Sequence, residues 1–396
     1  MTAEVAIANK TAVVMAADNA VTRASKVHSR QKLFPLVREE NAVGVMFCQN
    51  VAFMGVPWGT IIAMYRQAHG GNPRPTVQNY ARDFLDYIAK EPFCTEASEQ
   101  ANVDRIVQPV LARIRAKASE LFQTSENMQA ALHRALSGWL DHVAEMAPSP
   151  SMESVAANEI SARVKDSLGD LAARVFVGYD LGAHERELLA QVVEHSLKCK
   201  PMSPLHPHFS GLVFAGFGED EIFPSLVCAT TQGLVCGRHK HHIDVYRGVE
   251  RHGPFIEAYA QHAMVHRLID GLDPAIVEHL RQTLGRAMHR LVSDVLDSFL
   301  NTDINYAVIR PAIEEHVARH LDDLAGFCGK EFAKPILDNL EGLSKQELAD
   351  MAEAFVSITA LKSRVADPVQ SVGGPIDVAV ITKGEGFIWA KRKNDA

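Results

Sequence analysis

The chain lacks several features that would assign it to a class at once. Its six cysteines show no Cys-x-x-Cys spacing, which favours a reducing compartment over a disulfide framework. There is no long Pro/Gly/Ser tract and no block of like charge, so disorder does not dominate. The formal charge is -8, from 40 basic and 48 acidic residues. Because no basic stripe with interleaved aromatics is present, we expect no nucleic-acid partner.

A signal peptide is also absent from the expected place. Glu4 stands where export would require basic and then apolar residues, so the cytoplasm is the expected location. One uncharged stretch, residues 42–65, is long enough to span a bilayer, and a membrane span is the alternative to be tested. Gln49, Asn50 and Pro57 break it into two short apolar runs. A buried strand followed by a buried helix is therefore preferred, and no membrane association is expected.

What is present is enough apolar sequence for a sizeable core, since 47% of the 396 residues are hydrophobic. Strand patterns fall at 2–17, with a turn at Asn9-Lys10, and at 42–48, 209–237 and 372–392. Within 209–237, GFGEDE (216–221) and TTQG (230–233) are predicted as turns. Helical patterns fall at 56–69, 76–90, 97–200, 254–269, 274–340 and from Ser344 onward. This order predicts an α+β fold with one core, residues 2–96, 205–273 and 341–396, and helical insertions at 97–204 and 274–340.

The N-terminus offers a nucleophile. Removal of Met1 is expected before a small residue, and it would expose Thr2 with its hydroxyl and a free amine on one residue. The ordinary pKa of such an amine is about 7.7 to 8.0, so at neutral pH it needs help to act as a base. A nearby ammonium lowers that pKa, and a carboxylate such as Asp18 can hold a lysine in place.

Four stretches carry a resemblance to a known family: Thr2, the AAD ending at Asp18, KLFPL with Lys32, and GVMFCQNVAFMG. The chain resembles proteasome β-subunits and the bacterial HslV peptidase, and is identified as a divergent, enlarged bacterial-type member of these N-terminal nucleophile (Ntn) hydrolases. The match is closest over the first 70 residues. It implies a four-layer αββα sandwich carrying the two insertions, and a threonine peptidase with neither cofactor nor metal.

The resemblance also implies roles for single residues. Thr2 attacks the substrate, and Asp18 and Lys32 assist it. A backbone amide at Gln49 or Asn50 holds the oxyanion, at a place where the family has a glycine. Taken singly, Asp18 is better explained as a turn cap and Lys32 as a surface charge, and it is their combination that favours the catalytic roles. Near the Gly-Gly of VADPVQSVGGP, supporting contacts to the terminal amine are implied for Asp367 and Ser371.

The implied partners are a peptide or protein substrate, further copies of the chain in a homo-oligomer, and an unfoldase or adaptor. Two other functions stay open: an Ntn amidase or acylase acting on a small molecule, and an inactive scaffold or interaction protein that kept the fold. The insertions are compatible with lids, limits on substrate length or oligomer contacts. Their composition does not choose among these.

Other candidate groups are weaker. GRHKHHID (237–244) places His239, His241 and His242 near Cys236 and Cys228, and a metal site is one hypothesis. Zinc sites prefer tighter ligand pairs, and adjacent histidines on a strand point to opposite faces, so an incidental cluster is preferred. For Cys48 no triad partner is identifiable in the sequence, and we expect it in the core.

Overall fold

The computed structural model describes residues 3–23, 26–37, 42–90, 92–123, 127–200, 208–299, 306–366 and 373–392. The chain has a mixed α+β fold in two compact units. The first unit comprises Met1–Arg30, His252–Val380 and Trp389–Ala396. The second comprises Gln31–Arg251 and Ile381–Ile388. This division is into two compact units, whereas the predicted one is into a core that carries two helical insertions. The predicted division stays a prediction.

The strands are numbered along the chain. They are β1 (Ala3–Ala8), β2 (Val13–Asp18), β3 (Ala20–Arg23), β4 (Lys26–Ser29), β5 (Leu33–Pro35), β6 (Val43–Gln49), β7 (Ala52–Phe53), β8 (Val56–Pro57), β9 (Ser210–Gly216), β10 (Ser225–Val235), β11 (Arg238–Gly248), β12 (Phe255–Ala260), β13 (Ile376–Thr382) and β14 (Gly386–Lys391). One five-stranded sheet has the order β12-β1-β2-β13-β14, and another has the order β11-β10-β9-β6-β5. Two short pairs, β3-β4 and β7-β8, accompany them.

The helices are numbered in the same way. They are α1 (Trp58–His69), α2 (Val77–Ile88), α3 (Glu96–Phe122), α4 (Met128–Ala144), α5 (Ala157–Val175), α6 (Ala183–Lys198), α7 (Val249–His252), α8 (Ala263–Ile269), α9 (Pro274–Phe299), α10 (Tyr306–Cys328), α11 (Lys334–Leu340) and α12 (Lys345–Ala366). A π-helical turn, Gly329–Ala333, joins α10 to α11. Among the described helices, none is both long and apolar enough to cross a bilayer.

The first unit is organised around the predicted hairpin of β1 and β2, which pair antiparallel. Every residue of both strands is buried, including the acidic residues Glu4 and Asp18. Asn9 closes the turn, because its side-chain oxygen accepts the amides of Thr11 and Ala12 at 2.9 and 3.2 Å. Helix α12 packs on both strands, and its predicted start is confirmed by the reciprocal bonds between Ser344 and Glu347.

The described residues of the second unit form two apolar cores. Helices α1 and α2 cover one face of the sheet, where Trp58 and Phe84 pack with Phe47 and Phe214. Helices α3 to α6 form a separate core of their own, which also includes Val235 of β10. The long helical stretch predicted after residue 97 therefore folds around its own apolar centre, and α3 joins that centre to the sheet.

The helix predicted over residues 254–269 is wrong in its first half. Residues 255–260 form β12, which pairs with β1 in a register from Ala3 opposite Ala260 to Ala8 opposite Phe255. The helical spacing of apolar residues in this stretch arose by chance across two elements. Pairing with the edge of β1 favours a strand over a helix here, because buried backbone groups must find hydrogen-bond partners. Helix α8 begins only at Ala263.

The turn predicted at TTQG (230–233) is also wrong. Strand β10 runs through it to Val235, with a register shift between Thr231 and Gly233. The turn comes later, at Cys236 and Gly237, whose φ angles of 52° and 65° are those of a two-residue hairpin turn with both central residues left-handed. Turn-forming residues inside a long hairpin thus mark a bulge rather than a chain reversal.

Candidate active site

Three of the predicted site residues lie outside the described residues. They are Thr2, Asp367 and Ser371, and their roles stay predictions. The other four, Asp18, Lys32, Gln49 and Asn50, are described, the first in the first unit and the rest in the second.

Asp18 is the last residue of β2 and is fully buried. Its Oδ1 accepts the backbone amide of Ala3, and its Oδ2 accepts the backbone amide of Gly373, each at 2.9 Å. These amides follow, in sequence, the predicted nucleophile Thr2 and the segment that holds Ser371. Because both partners are remote from Asp18 along the chain, the turn-cap explanation is excluded. A buried carboxylate that accepts two amides is a fixed, charge-assisted anchor.

Backbone bonds extend this anchor on both sides. The Asn19 amide donates to the Pro375 carbonyl, and the Ala20 amide donates to the Gly373 carbonyl, each at 3.1 Å. Gly373 has φ of 146° and Gly374 has φ of 79°, so both positions of the predicted Gly-Gly favour glycine. The segment that returns from α12 is therefore joined to the end of β2 by main-chain geometry.

Two residues at this place were not predicted from the sequence. The Asn19 side-chain amide donates to Oδ2 of Asp377 at 3.0 Å, and both residues are buried. The Asn19 Oδ1 is also buried and accepts no hydrogen bond from the residues that the structure describes. An Asp-Asn pair ending an apolar strand was the available signal. Asn19 thus offers an acceptor one residue from the Asp18 anchor.

Lys32 directly precedes β5 and is 1% exposed, among the largest fully buried side chains. Its carbonyl accepts the Phe47 amide at 3.2 Å, which continues the β5-β6 ladder by one residue. A lysine is rarely buried to this extent, because removing an ammonium from water is costly unless it is compensated. The surface-charge explanation of Lys32 is therefore excluded, and its catalytic role stays a prediction.

The two residues predicted to hold the oxyanion differ from each other. Gln49 ends β6 with φ of 69°, the left-handed region that favours glycine, and its side chain is exposed. Strained backbone of this kind clusters at functional sites. The Asn50 amide donates to the Phe209 carbonyl at 3.2 Å, so that N–H already has an acceptor. Of the two predictions, Gln49 is the one we retain.

Helices α3 to α6, here called the helical segment, contribute side chains near the loop that follows Asn50. A small cavity of about 20 Å³ lies there, and its lining includes Asn50 and Ser210 together with Asn102 and Arg105 of α3. The Asn102 side chain donates to the Gln232 and Leu234 carbonyls at 2.6 and 3.1 Å, which fixes α3 against the bulge of β10. That volume holds about one water molecule and no substrate side chain.

The histidine cluster on β11 is structural. His239 is buried, its Nε2 lies 2.8 Å from Oγ1 of Thr231, and burial lowers the pKa of His239 to about 3. The His241 ring lies against the His239 ring with the centroids 4.7 Å apart and the planes tilted by 35°. The backbone of His241 bonds to the side chains of Ser149 and Ser151. In the described ranges no group of three or more His, Cys, Asp or Glu side chains is arranged to hold a metal ion. Cys48 is buried within β6.

Comparisons with known proteins find little. No protein-family model matches the chain, and no curated protein does. Among solved structures, a Gly-1 mutant of Anbu from Hyphomicrobium sp. strain MC1 aligns with 11% identity and a TM-score of 0.29, over 99% of this chain and 86% of that one. Anbu from Yersinia bercovieri, described as an ancestral beta-subunit, aligns with 9% identity and a TM-score of 0.28, over 98% and 86%. Scores this low carry no argument about fold or activity.

Proposed function

We propose that this protein is a proteasome-like threonine peptidase of the Ntn-hydrolase type, which cleaves amide bonds with Thr2 after removal of Met1. The observation that carries the proposal is the buried Asp18 carboxylate, which binds the amides of Ala3 and Gly373 at 2.9 Å. It fixes the chain one residue after the predicted nucleophile. The buried Lys32 supports the same proposal, because the chemistry needs a cation that is not a surface charge.

The fold forms part of the proposal. Each sheet carries helices on a face of its own, α12 on β1 and β2 in the first unit and α1 and α2 in the second. We propose that the two sheets make the inner layers of an αββα sandwich. A crystal structure of the protein tests this arrangement. Two sheets that do not pack face to face would contradict it.

The proposed reaction follows from the residue types. The Thr2 amine, directly or through a water, takes the hydroxyl proton while Oγ1 attacks the amide carbonyl carbon. The backbone amide of Gln49 holds the oxyanion of the tetrahedral intermediate. The amine then gives the proton to the leaving nitrogen, the C–N bond breaks, and an ester to Thr2 remains. Water hydrolyses this ester, so that one amide and one water yield one acid and one amine.

The remaining residues adjust the amine. A neighbouring ammonium, assigned to Lys32, disfavours protonation of the Thr2 amine and so makes it a better base at neutral pH. Asp18 holds the chain at Ala3 and, in the proposal, the lysine as well. The buried Oδ1 of Asn19 supports a further assignment, as an acceptor for a proton of the terminal amine.

The experiment begins with the intact mass of the purified protein, which is expected to lack Met1. An electrophile selective for an N-terminal threonine should then add once per chain, at residue 2. Thr2→Ala should abolish both labelling and peptide cleavage without changing the thermal unfolding midpoint. Thr60→Ala, at an exposed position of α1, is the matched control and should keep both.

Three outcomes would contradict the proposal: retained Met1, labelling at another residue, or full cleavage by the Thr2→Ala variant. The substrate class is resolved by the same assay when fluorogenic peptides are compared with small acyl amides. Cleavage of acyl amides alone would reject the peptidase and leave an Ntn amidase.

A further inference from the structure

A cavity lies within the helical segment of the second unit, between α5 and α6. Its volume is about 470 Å³, which falls in the range of small-molecule sites. Most of the lining is aliphatic, and Val164, Ala172 and Leu189 are buried there. The aliphatic lining residues are Val164, Leu168, Ala172, Leu181 and Leu189. A pocket of this size and polarity fits an apolar chain of several carbons.

Among the side chains that the structure describes, the charged residues that line the cavity are both cations. Lys165 on α5 and Arg186 on α6 line it, and both are exposed. Within the described ranges neither side chain forms an ion pair. Two cations beside an aliphatic cavity complement a ligand that has an apolar chain and an anionic head.

Small residues leave the space open. Gly169 lines the cavity from α5, and a methyl group added at its Cα would meet no atom within 4 Å. Glycine inside a helix costs roughly 0.5–1 kcal/mol relative to alanine. Because the added methyl meets no atom, this position is free to accept a larger side chain.

We propose that this cavity binds a free amphipathic carboxylate, with the alkyl chain between α5 and α6 and the carboxylate at Lys165 and Arg186. The two cations, from facing helices, select the anionic head, and the aliphatic lining selects chain length. The site is independent of Thr2 and gives the helical segment a ligand of its own.

Decanoate is the probe, titrated into the full chain by isothermal calorimetry below the concentration at which it forms micelles. We expect one site per chain. Because each buried methylene contributes about 0.8 kcal/mol, decanoate should bind about fifteenfold more tightly than octanoate. Decyltrimethylammonium, which has the same chain and a cationic head, should bind at least tenfold more weakly than decanoate.

Two kinds of variant test the geometry. The double variant Lys165→Gln with Arg186→Gln should lose about tenfold in decanoate affinity, since exposed ion pairs contribute up to about 1 kcal/mol each. Arg134→Gln, at an exposed position of α4, is the matched control and should lose nothing. Gly169→Leu should fill the cavity and abolish binding. Gly138→Leu on α4, where an added methyl also meets no atom within 4 Å, should not.

Several results would overturn the proposal: no decanoate binding, equal binding of the cationic amphiphile, or unchanged affinity in both the double variant and Gly169→Leu. A further result would also overturn the proposal: the protein binds phosphatidylglycerol vesicles, and decanoate does not reduce that binding. The two cations would then belong to a membrane-binding surface. Since Gly169→Leu should raise helix stability, its thermal midpoint shows directly that lost binding is not lost folding.

Discussion

The end of β2 and the start of β11 both bury ionisable side chains, but they satisfy them in opposite ways. Asp18 accepts two backbone amides, one from either end of the chain. Lys240 is equally buried, yet within the part of the chain that the structure describes its Nζ has one hydrogen-bond acceptor, the Ser196 carbonyl at 3.1 Å. Burial lowers the pKa of Lys240 to about 8. Its neighbour His239, next to Thr231, has a pKa lowered by burial to about 3.

The difference shows what separates a candidate site from a core. At Asp18 the protein supplies two backbone amide donors, one to each side-chain oxygen, and these hold the side chain in place. At His239 and Lys240 burial acts against the charged form. Burial of a polar residue is therefore weak evidence for function, and the donors arranged around it are stronger evidence.

The largest effect is expected at Asp18. Asp18→Asn removes the charge and replaces one acceptor by an NH₂ group, which then faces either the Ala3 or the Gly373 amide. We expect turnover to fall by three orders of magnitude or more, because the chain after Thr2 loses its anchor. The free energy of unfolding should fall by about 2–4 kcal/mol, since bonds to a charged acceptor are lost and a buried donor is left unpaired. Peptide cleavage and urea unfolding measure the two.

The control is Asp180→Asn. Asp180 lies between α5 and α6, and its side chain is exposed. It should leave turnover unchanged. An Asp18→Asn variant with normal turnover would show that the comparison is mistaken and that Asp18 is structural only.

Lys240→Met should act in the opposite direction. The pKa of Lys240 in the folded state, about 8, lies below the ordinary 10.5, so the unfolded chain binds more protons between these values. Stability of the natural protein should therefore rise between pH 8 and 10.5, by about 2–3 kcal/mol over two pH units. The substitution should remove that rise and leave the protein at least as stable at pH 7, because Cys199 still donates to the Ser196 carbonyl.

Chemical unfolding at pH 7, 8 and 9.5 tests this expectation. Lys198→Met, a partly exposed lysine paired with Glu194, is the control and should keep the pH dependence. A strong loss of stability in Lys240→Met at pH 7 would mean that the buried ammonium is supported after all, as Asp18 is.

An element can be predicted from the sequence when the residues that determine it are neighbours in the chain. The hairpin of β1 and β2 was predictable, because alternation around Val5 and Ile7, an Asn-Lys turn and a second apolar run over residues 11–17 are local signals. The strand β12 was not, because its partner β1 lies about 250 residues away and the local pattern also fits a helix. Pairing across that distance decided the outcome.

The candidate site divides in the same way. The resemblance located Asp18 and Lys32 by position, but the burial of Lys32 and the bond from Asp18 to Gly373, 355 residues apart, have no local signature. Asn19 was missed for the same reason, since its partner Asp377 lies on β13. Residue type indicates which chemistry is available, and the long-range contacts decide where it is available.

His239→Gln should have an effect of about the same size as Lys240→Met, but on the acid side of neutral pH. The pKa of His239 lies near 3 in the folded protein and near 6.5 ordinarily, so the unfolded chain takes up a proton first as the pH falls. Stability is complete above about pH 6.5 and is lost toward pH 3. Glutamine still bonds to Thr231 but does not titrate, so the loss between pH 7 and 4.5 should shrink by about 2 kcal/mol.

Unfolding at the two pH values, with exposed His142→Gln as the control, measures the difference. An unchanged acid loss in His239→Gln would show that His239 is not the neutral, desolvated residue that the comparison requires.

The smallest effect is expected at Gln49. Its substitution tests whether strained backbone marks a functional site, as the amide donors do at Asp18. Gln49→Gly relieves a left-handed backbone at φ of 69° and should stabilise the protein by about 0.5–1 kcal/mol, the extra entropy of glycine offsetting part of the gain. Ala260→Gly, at φ of 61° on β12, is the matched control with a similar gain. Because only the amide of Gln49 serves the proposed oxyanion contact, turnover should be kept in both variants. A loss of turnover confined to Gln49→Gly would assign the role to its exposed side chain and refute the backbone assignment.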